Sequence, residues 1–418
     1  LRPVGFCSLH RNHKEGEFQM LNQGSSSRYS LCACSTICTS LLLLLLLLGI
    51  SSCGQAKTLS QPSLASTSNP TDVDALPHLQ KQVPVPLGIA KGVLAPNQQV
   101  YFIAYDYVSI FDGLSLVENI QIPKFDSPYG PNLRDIDVTS ATGLVYVLDS
   151  SADVVNIIHD TELITSLTEI VNEDPFHVVT DQDSGEVYVF YTAHLDEKVE
   201  SHALVLSGTT IITDIALPLF TNAVAYNPID DYIYSAGEII TSLMDFENAM
   251  MVIDDHQVLE IVHPLDEPQL SVEGIAINET NGDVYILLAS KVVYWDRVNP
   301  LKSIDLYALG YRNLHCITVD PIRGWAYVCA WTGYPSYALV VDQNMLKEAI
   351  PIAYRPQSMA VDTKHDYVYV AHYSPAVMSV IRETRLMTTL DTLGAGATDV
   401  VVDQLRILST SRMQTMAV

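Results

Sequence analysis

The sequence predicts an all-β chain in which a four-stranded antiparallel unit is repeated around a closed ring. Three observations predict it. A short apolar strand ending in a polar or turn residue recurs, with last residues Ala95, Thr139, Asp181, Asn227, Asn278, Asp320, Asp362 and Asp403, at spacings of 44, 42, 46, 51, 42, 42 and 41. Seven residues after the six of these from Thr139 to Asp362 stand Tyr146, Tyr188, Tyr234, Tyr285, Tyr327 and Tyr369. The repeated region shows short alternating apolar runs and no helical period.

Within each unit the first strand is followed by a turn rich in Asp, Asn, Pro and Gly, as in residues 320–324 (DPIRG), 181–185 (DQDSG) and 278–282 (NETNG). These residues favour turns through side-chain hydrogen bonds, fixed φ and tolerated positive φ. The tyrosine strand comes next, then a third run such as ALVVDQ and a fourth such as LKEAIPIA. Four-stranded units every 40 to 50 residues are the signature of a β-propeller. The 340 residues from 79 to 418 allow about 42 for each of eight blades or about 49 for seven. The spacing favours eight, with seven as the alternative. The last unit lacks an outer strand, and residues 79–86 (LQKQVPVP) offer one, so strands from both termini close the ring. Pro84 and Pro86 suit an outermost strand, where one side needs no ladder donors.

The units resemble the YVTN-repeat family of propellers. Val-Tyr-Val stands at 145–147, 187–189 and 368–370, and Val-Ile-Asp at 252–254. The literal string YVTN does not occur and the first unit is irregular. The resemblance implies a WD-like propeller fold and leaves the function open.

Ahead of the repeats lies a different kind of sequence. Residues 31–50 carry no charge and include an unbroken leucine run at 41–48, which reads as the apolar core of an export signal. Ile50-Ser51-Ser52-Cys53 follows and resembles a bacterial lipobox, which implies lipidation at Cys53 and removal of residues 1–52. An uncleaved membrane anchor is the competing reading. Residues 1–19 precede the first Met, Met20, and need not be translated. Residues 53–78, rich in Ser, Thr, Gln and Pro, read as a flexible tether between the lipid and a single propeller domain over 79–418. The expected location is extracytoplasmic, on a cell membrane or outer membrane.

Charge narrows the partners. The chain has 48 acidic against 22 basic side chains, a net charge of −26, which argues against nucleic acid. The acidity belongs to the repeats, since residues 1–52 hold only Glu15 and Glu17. A monomer that binds a protein, a glycan or a small ligand is the expectation.

On a propeller, the loops leading into the innermost strands and those joining second to third strands open on one face around the channel mouth. Five residues before the eight strand ends stand Ala90, Arg134, Phe176, Asn222, Glu273, His315, Gln357 and Thr398. Six of these eight are polar, so Arg134, Asn222, Glu273, His315, Gln357 and Thr398 are candidate channel-mouth residues. The sixth unit adds Tyr311, Arg312 and Asn313 before His315, and Trp331, Tyr334 and Tyr337 in its second-to-third loop. Arg312, Trp331 and Tyr334 have the residue types that dominate binding surfaces.

Catalytic signals are thin. There is no Gly-x-Ser-x-Gly elbow, phosphate-binding glycine loop, haem-attachment motif or EF-hand loop. No cofactor or metal is expected, and a Ca²⁺ at Asn222 and Glu273 is a weak alternative built on analogy with lactonase-like propellers. Cys32, Cys34 and Cys38 lie inside the export signal. Cys316 and Cys329 face each other if Asp320 pairs with Trp325, so a disulfide is possible. The leading expectation is a binding or scaffold module acting through one face and the channel mouth. The alternative is a hydrolase or lyase in the channel.

Overall fold

The computed structural model describes residues 81–84 and 91–417, with gaps at 105, 113–114, 126–129, 169–172, 196–197, 241–245, 263–270, 375–376, 392–396, 404–405 and 412–413. The chain divides into residues 1–71 and 72–418. The export signal, Cys53, the tether and Ala90 lie outside the described residues. Among the described residues no helix is long and apolar enough to cross a membrane.

Among the described residues all regular structure is β. The strands form eight four-stranded antiparallel sheets. Their innermost strands are Lys91–Leu94, Leu133–Val138, Glu173–Thr180, Phe220–Asn227, Val272–Ile277, Leu314–Asp320, Pro356–Asp362 and Ala397–Asp403, which number the blades 1 to 8. Each innermost strand lies against the next, and that of blade 8 lies against that of blade 1, so the ring is closed. In blade 8 the outermost strand is Lys81–Pro84, from the opposite end of the chain, paired Lys81↔Ala417 to Pro84↔Gln414.

Each blade is apolar on both faces because each packs between two neighbours. Along the second strand of blade 2, Val145 and Val147 point into the core shared with blade 1, while Tyr146 and Leu148 point into the core shared with blade 3. Alternation therefore sorts side chains between two dry interfaces rather than between core and water.

The recurrent Asp and Asn at the strand ends are caps. Asp181, Asn227, Asn278, Asp320 and Asp362 are buried, and each Oδ1 accepts the backbone N–H two residues on, at 2.9 to 3.1 Å. Four residues after each of six strand ends the chain turns left-handed, with φ from 62° to 78° at Gly143, Gly185, Asp231, Gly282, Gly324 and Asp366. Glycine and Asp are the residues that tolerate this at a turn.

Three of the recurrent tyrosines tie blade to blade, while Tyr234 Oη donates to Asp230 Oδ2 of its own blade at 2.6 Å. The rings at 146, 234, 285, 327 and 369 are no more than 1% exposed. Tyr146 Oη donates to Gly208 O at 3.0 Å, Tyr285 Oη to Gly324 O at 2.7 Å and Tyr327 Oη to Glu383 O at 2.8 Å, each acceptor belonging to the following blade. Tyr101 does the same for blade 1, donating to Asp160 O at 3.0 Å. A buried phenol needs such an acceptor, and here the acceptor is a hairpin carbonyl next door.

Candidate functional site

The innermost strands of blades 2 to 8 share an irregularity that decides what lines the channel. In each, the ladder to the second strand skips one residue: Arg134, Phe176, Asn222, Glu273, His315, Gln357 and Thr398. The seven sequence-selected positions in these blades are thus the extra residues of seven β-bulges, and a bulge re-aims the side chains around it. The polar contacts across the channel wall come from the next position, which holds Lys91, Asp135, His177, Ser358 and Asp399 in five of the eight blades.

Those residues are hydrogen-bonded from blade to blade. Lys91 of blade 1 pairs with Asp135 Oδ1 of blade 2. His177 Nδ1 of blade 3 lies 3.2 Å from Asp135 Oδ2, and its Nε2 lies 3.0 Å from the Asn222 carbonyl of blade 4. Ser358 Oγ of blade 7 donates to Asp399 Oδ1 of blade 8 at 2.6 Å, and the Gly92 N–H of blade 1 donates to Asp399 Oδ2 at 3.1 Å. Both ring nitrogens of His177 thus lie within hydrogen-bond distance of an oxygen on a neighbouring blade.

The electrostatics follow from this arrangement. Asp135 is 2% exposed. Burial would raise its pKa, but the Lys91 charge and the His177 hydrogen bond override it and hold the carboxyl at about 2. Burial acts downward on Lys91, and the Asp135 charge outweighs it, raising the pKa. The Lys91 side chain is still partly accessible because it faces the channel, although protein surrounds it. Asp137, two residues along the same strand as Asp135, goes the other way: burial pushes it to about 6 despite Lys91 and the hydrogen bonds from Val138 N and Thr180 N. Asp399 is likewise raised by burial. Lys91, Asp135, His177, Asn222 and Glu273 border a cavity of 390 Å³ in this part of the wall.

No family model matches the chain, and no curated relative does. Solved structures do. The Dos1 propeller is similar with a TM-score of 0.61 at 9% identity, over 81% of this chain and 95% of that one. The computationally designed Ika8 protein is similar with a TM-score of 0.60 at 12% identity, over 82% and 99%. The dihydro-heme d1 dehydrogenase NirN is similar with a TM-score of 0.54 at 13% identity, over 72% and 66%. At these identities the likeness establishes the propeller fold alone.

The remaining sequence-selected residues divide. Arg134 is exposed, and Gln357 Nε2 donates to the adjacent Pro356 carbonyl at 2.9 Å. Asn222 Nδ2 reaches Glu238 Oε1 at 3.4 Å, and Glu273 accepts from Ser271 Oγ. The two proposed Ca²⁺ ligands are thus bonded to different partners. Phe176 is half-buried against the blade 3 and 4 core, and the Thr398 side chain lies outside the described residues. His315 Nδ1 lies 2.9 Å from Asn313 O and its Nε2 meets Pro356 O of blade 7, so it joins two blades. Cys316 pairs with Cys329 in the ladder with Cα atoms 5.1 Å apart, and the two sulfurs are bonded. His315 with these two cysteines is the only group of three close His, Cys, Asp or Glu ligands among the described residues.

The blade 6 loops do gather on one surface. Arg312 is exposed with its guanidinium 4.0 Å from the Tyr307 ring centre. Trp331 packs edge-on against Tyr354 of the following loop at 5.4 Å, and Tyr337 against Tyr311 at 5.5 Å. Tyr334 at the loop tip is 86% exposed. Sequence inspection omitted Tyr354, Arg355 and Tyr373, although they occupy the equivalent loops of blade 7.

Proposed function

We propose that this chain is an extracytoplasmic, lipid-anchored propeller that works as a binding or scaffold module through the face formed by the blade 6 loops and the channel mouth. The observation that carries this reading is Tyr334, a large ring 86% exposed at the tip of the loop that holds Trp331, which is tied to the Arg312 loop by the Trp331 N–H donating to Asn313 O at 3.2 Å. Exposed aromatic and arginine side chains bury large area at low entropic cost when a partner arrives. The channel residues support the same reading: Lys91, Asp135 and His177 are engaged with one another across blades, as structural links are.

The experiment is co-purification of the protein and its Tyr334→Ala and Arg312→Ala variants from membranes. A partner retained equally by all three chains counts against this face. Mass spectrometry of Cys53, with a Cys53→Ala chain as control, tests the anchor.

One observation favours a second reading. Asp137, raised to about 6 in the channel wall, has the pKa of a general acid or base near neutral pH. A channel hydrolase or lyase would use it, and a lactone and ester screen with and without chelator tests that. Turnover lost in Asp137→Asn would replace the first reading.

A further inference from the structure

Blades 6 and 7 are electrostatically polarised. Residues 306–319, 326–341, 349–361 and 367–381 contain no Asp or Glu, in a chain that holds 48. The acids of these blades that lie outside the outer strand sit at the opposite end, where Arg323 Nη2 pairs with Asp366 Oδ2 at 2.8 Å and Arg382 Nε pairs with the same oxygen at 3.2 Å. On the loop face the arginines are held differently. Arg355 lies between two rings, 4.9 Å from Trp331 and 5.1 Å from Tyr373, and Arg312 lies over Tyr307. Among the described residues neither makes an ion pair, and the buried Nε of Arg355 has no hydrogen-bond partner.

A guanidinium stacked on aromatic rings is fixed in orientation, and its in-plane N–H groups match a carboxylate two at a time. We infer that this face receives an acidic peptide segment of a partner protein, with Arg355 and Arg312 as carboxylate receptors and Tyr334 as the apolar contact. This rests on the binding-face reading and names its partner class. Trp, Tyr and Arg together make the composition of a protein interface hot spot. The net charge of −26 does not oppose this, because at about 0.15 M salt the screening length is about 8 Å and the acid-free loops set the local field.

The test is fluorescence anisotropy of labelled octaglutamate with the full-length protein in detergent at physiological salt. Labelled octalysine and polygalacturonate serve as parallel probes. Octaglutamate is expected to bind, and Arg355→Lys and Arg312→Ala are each expected to weaken it about tenfold. Thr332→Glu, which puts a carboxylate on this exposed loop, should abolish binding. Tyr334→Ala, a change at an exposed tip, keeps the test decisive if Arg355→Lys misfolds, and should also weaken binding. Octaglutamate affinity unaffected by all four variants, or binding of polygalacturonate alone, overturns the inference. Octalysine binding that is lost in Tyr334→Ala overturns the anionic assignment while leaving the face a binding surface. No response of any probe to any variant removes the face as well.

Discussion

Asp135 and His177 meet across the seam between blades 2 and 3, Oδ2 to Nδ1 at 3.2 Å, while Lys91 closes on the other carboxylate oxygen from blade 1. Three blades thus share one buried carboxylate. Removing that carboxylate takes the shared acceptor away from Lys91, from His177 and from the Val178 N–H. Asp135→Leu is expected to lower unfolding stability by about 2 to 4 kcal/mol at pH 7, read from urea denaturation. The stabilising effect of Asp135 is fully present above the ordinary carboxylate range. It is lost as pH falls from about 4 through its folded value of about 2.

Asp137 reverses the sign. Its folded pKa of about 6 lies above the ordinary value of 3.8, so its contribution is fully present below about pH 4 and is lost as pH rises through 6. The wild-type chain should therefore lose about 1 to 3 kcal/mol between pH 4 and 7 relative to Asp137→Asn. Parallel urea curves for the two chains across that range would exclude this account.

The tyrosines of blade 6 separate two roles for one residue type. Tyr327 is fully buried and donates to Glu383 O of blade 7 at 2.8 Å, so Tyr327→Phe should cost about 1 kcal/mol. Tyr334→Ala at the exposed tip should change stability by less than about 0.5 kcal/mol. Thermal unfolding of the two variants side by side checks the contrast.

Gly237 has no room for a side chain. A Cβ there would fall 1.8 Å from the Phe220 carbonyl oxygen and 2.7 Å from its carbon, both backbone atoms. Gly237→Ala must move the first two strands of blade 4 apart and should cost about 2 kcal/mol or more in the same denaturation assay.

Cys316 and Cys329 lie 13 residues apart on paired strands. Closing a loop of that length is worth about 3 kcal/mol in the chain-entropy account. A reductant should lower the unfolding midpoint of the wild-type chain and leave that of a Cys316→Ala, Cys329→Ala chain unmoved.

The repeat was legible because its signals are local. Asp320 caps the turn that follows it and Tyr327 fills the adjacent interface, so residue type and spacing both survive in the sequence. The channel network was not legible at the right position. Counting five residues back from Thr139 to the strand entry selects Arg134, but the ladder skips Arg134 as a bulge and Asp135 makes the bonds. A bulge leaves no fixed residue type, since Arg134, Phe176, Asn222 and Glu273 differ in charge and size. The polar run Lys91, Asp135, His177, Ser358 and Asp399, at one shared offset, was the signal available. Arg355 escaped for a different reason: its neighbours Trp331 and Tyr373 belong to other loops, and only the folded ring brings them together.

The strand Lys81–Pro84 has a mechanical consequence. Its first residue lies opposite Ala417, so tension drawn through the chain ahead of Lys81 loads one residue pair at a time, peeling from Lys81↔Ala417 towards Pro84↔Gln414. The other three strands of blade 8 keep their own ladders during that release. Once the four pairs have parted, the pull passes along the chain to Lys91 in the wall of the channel, so the outermost strand acts as the fuse of the ring.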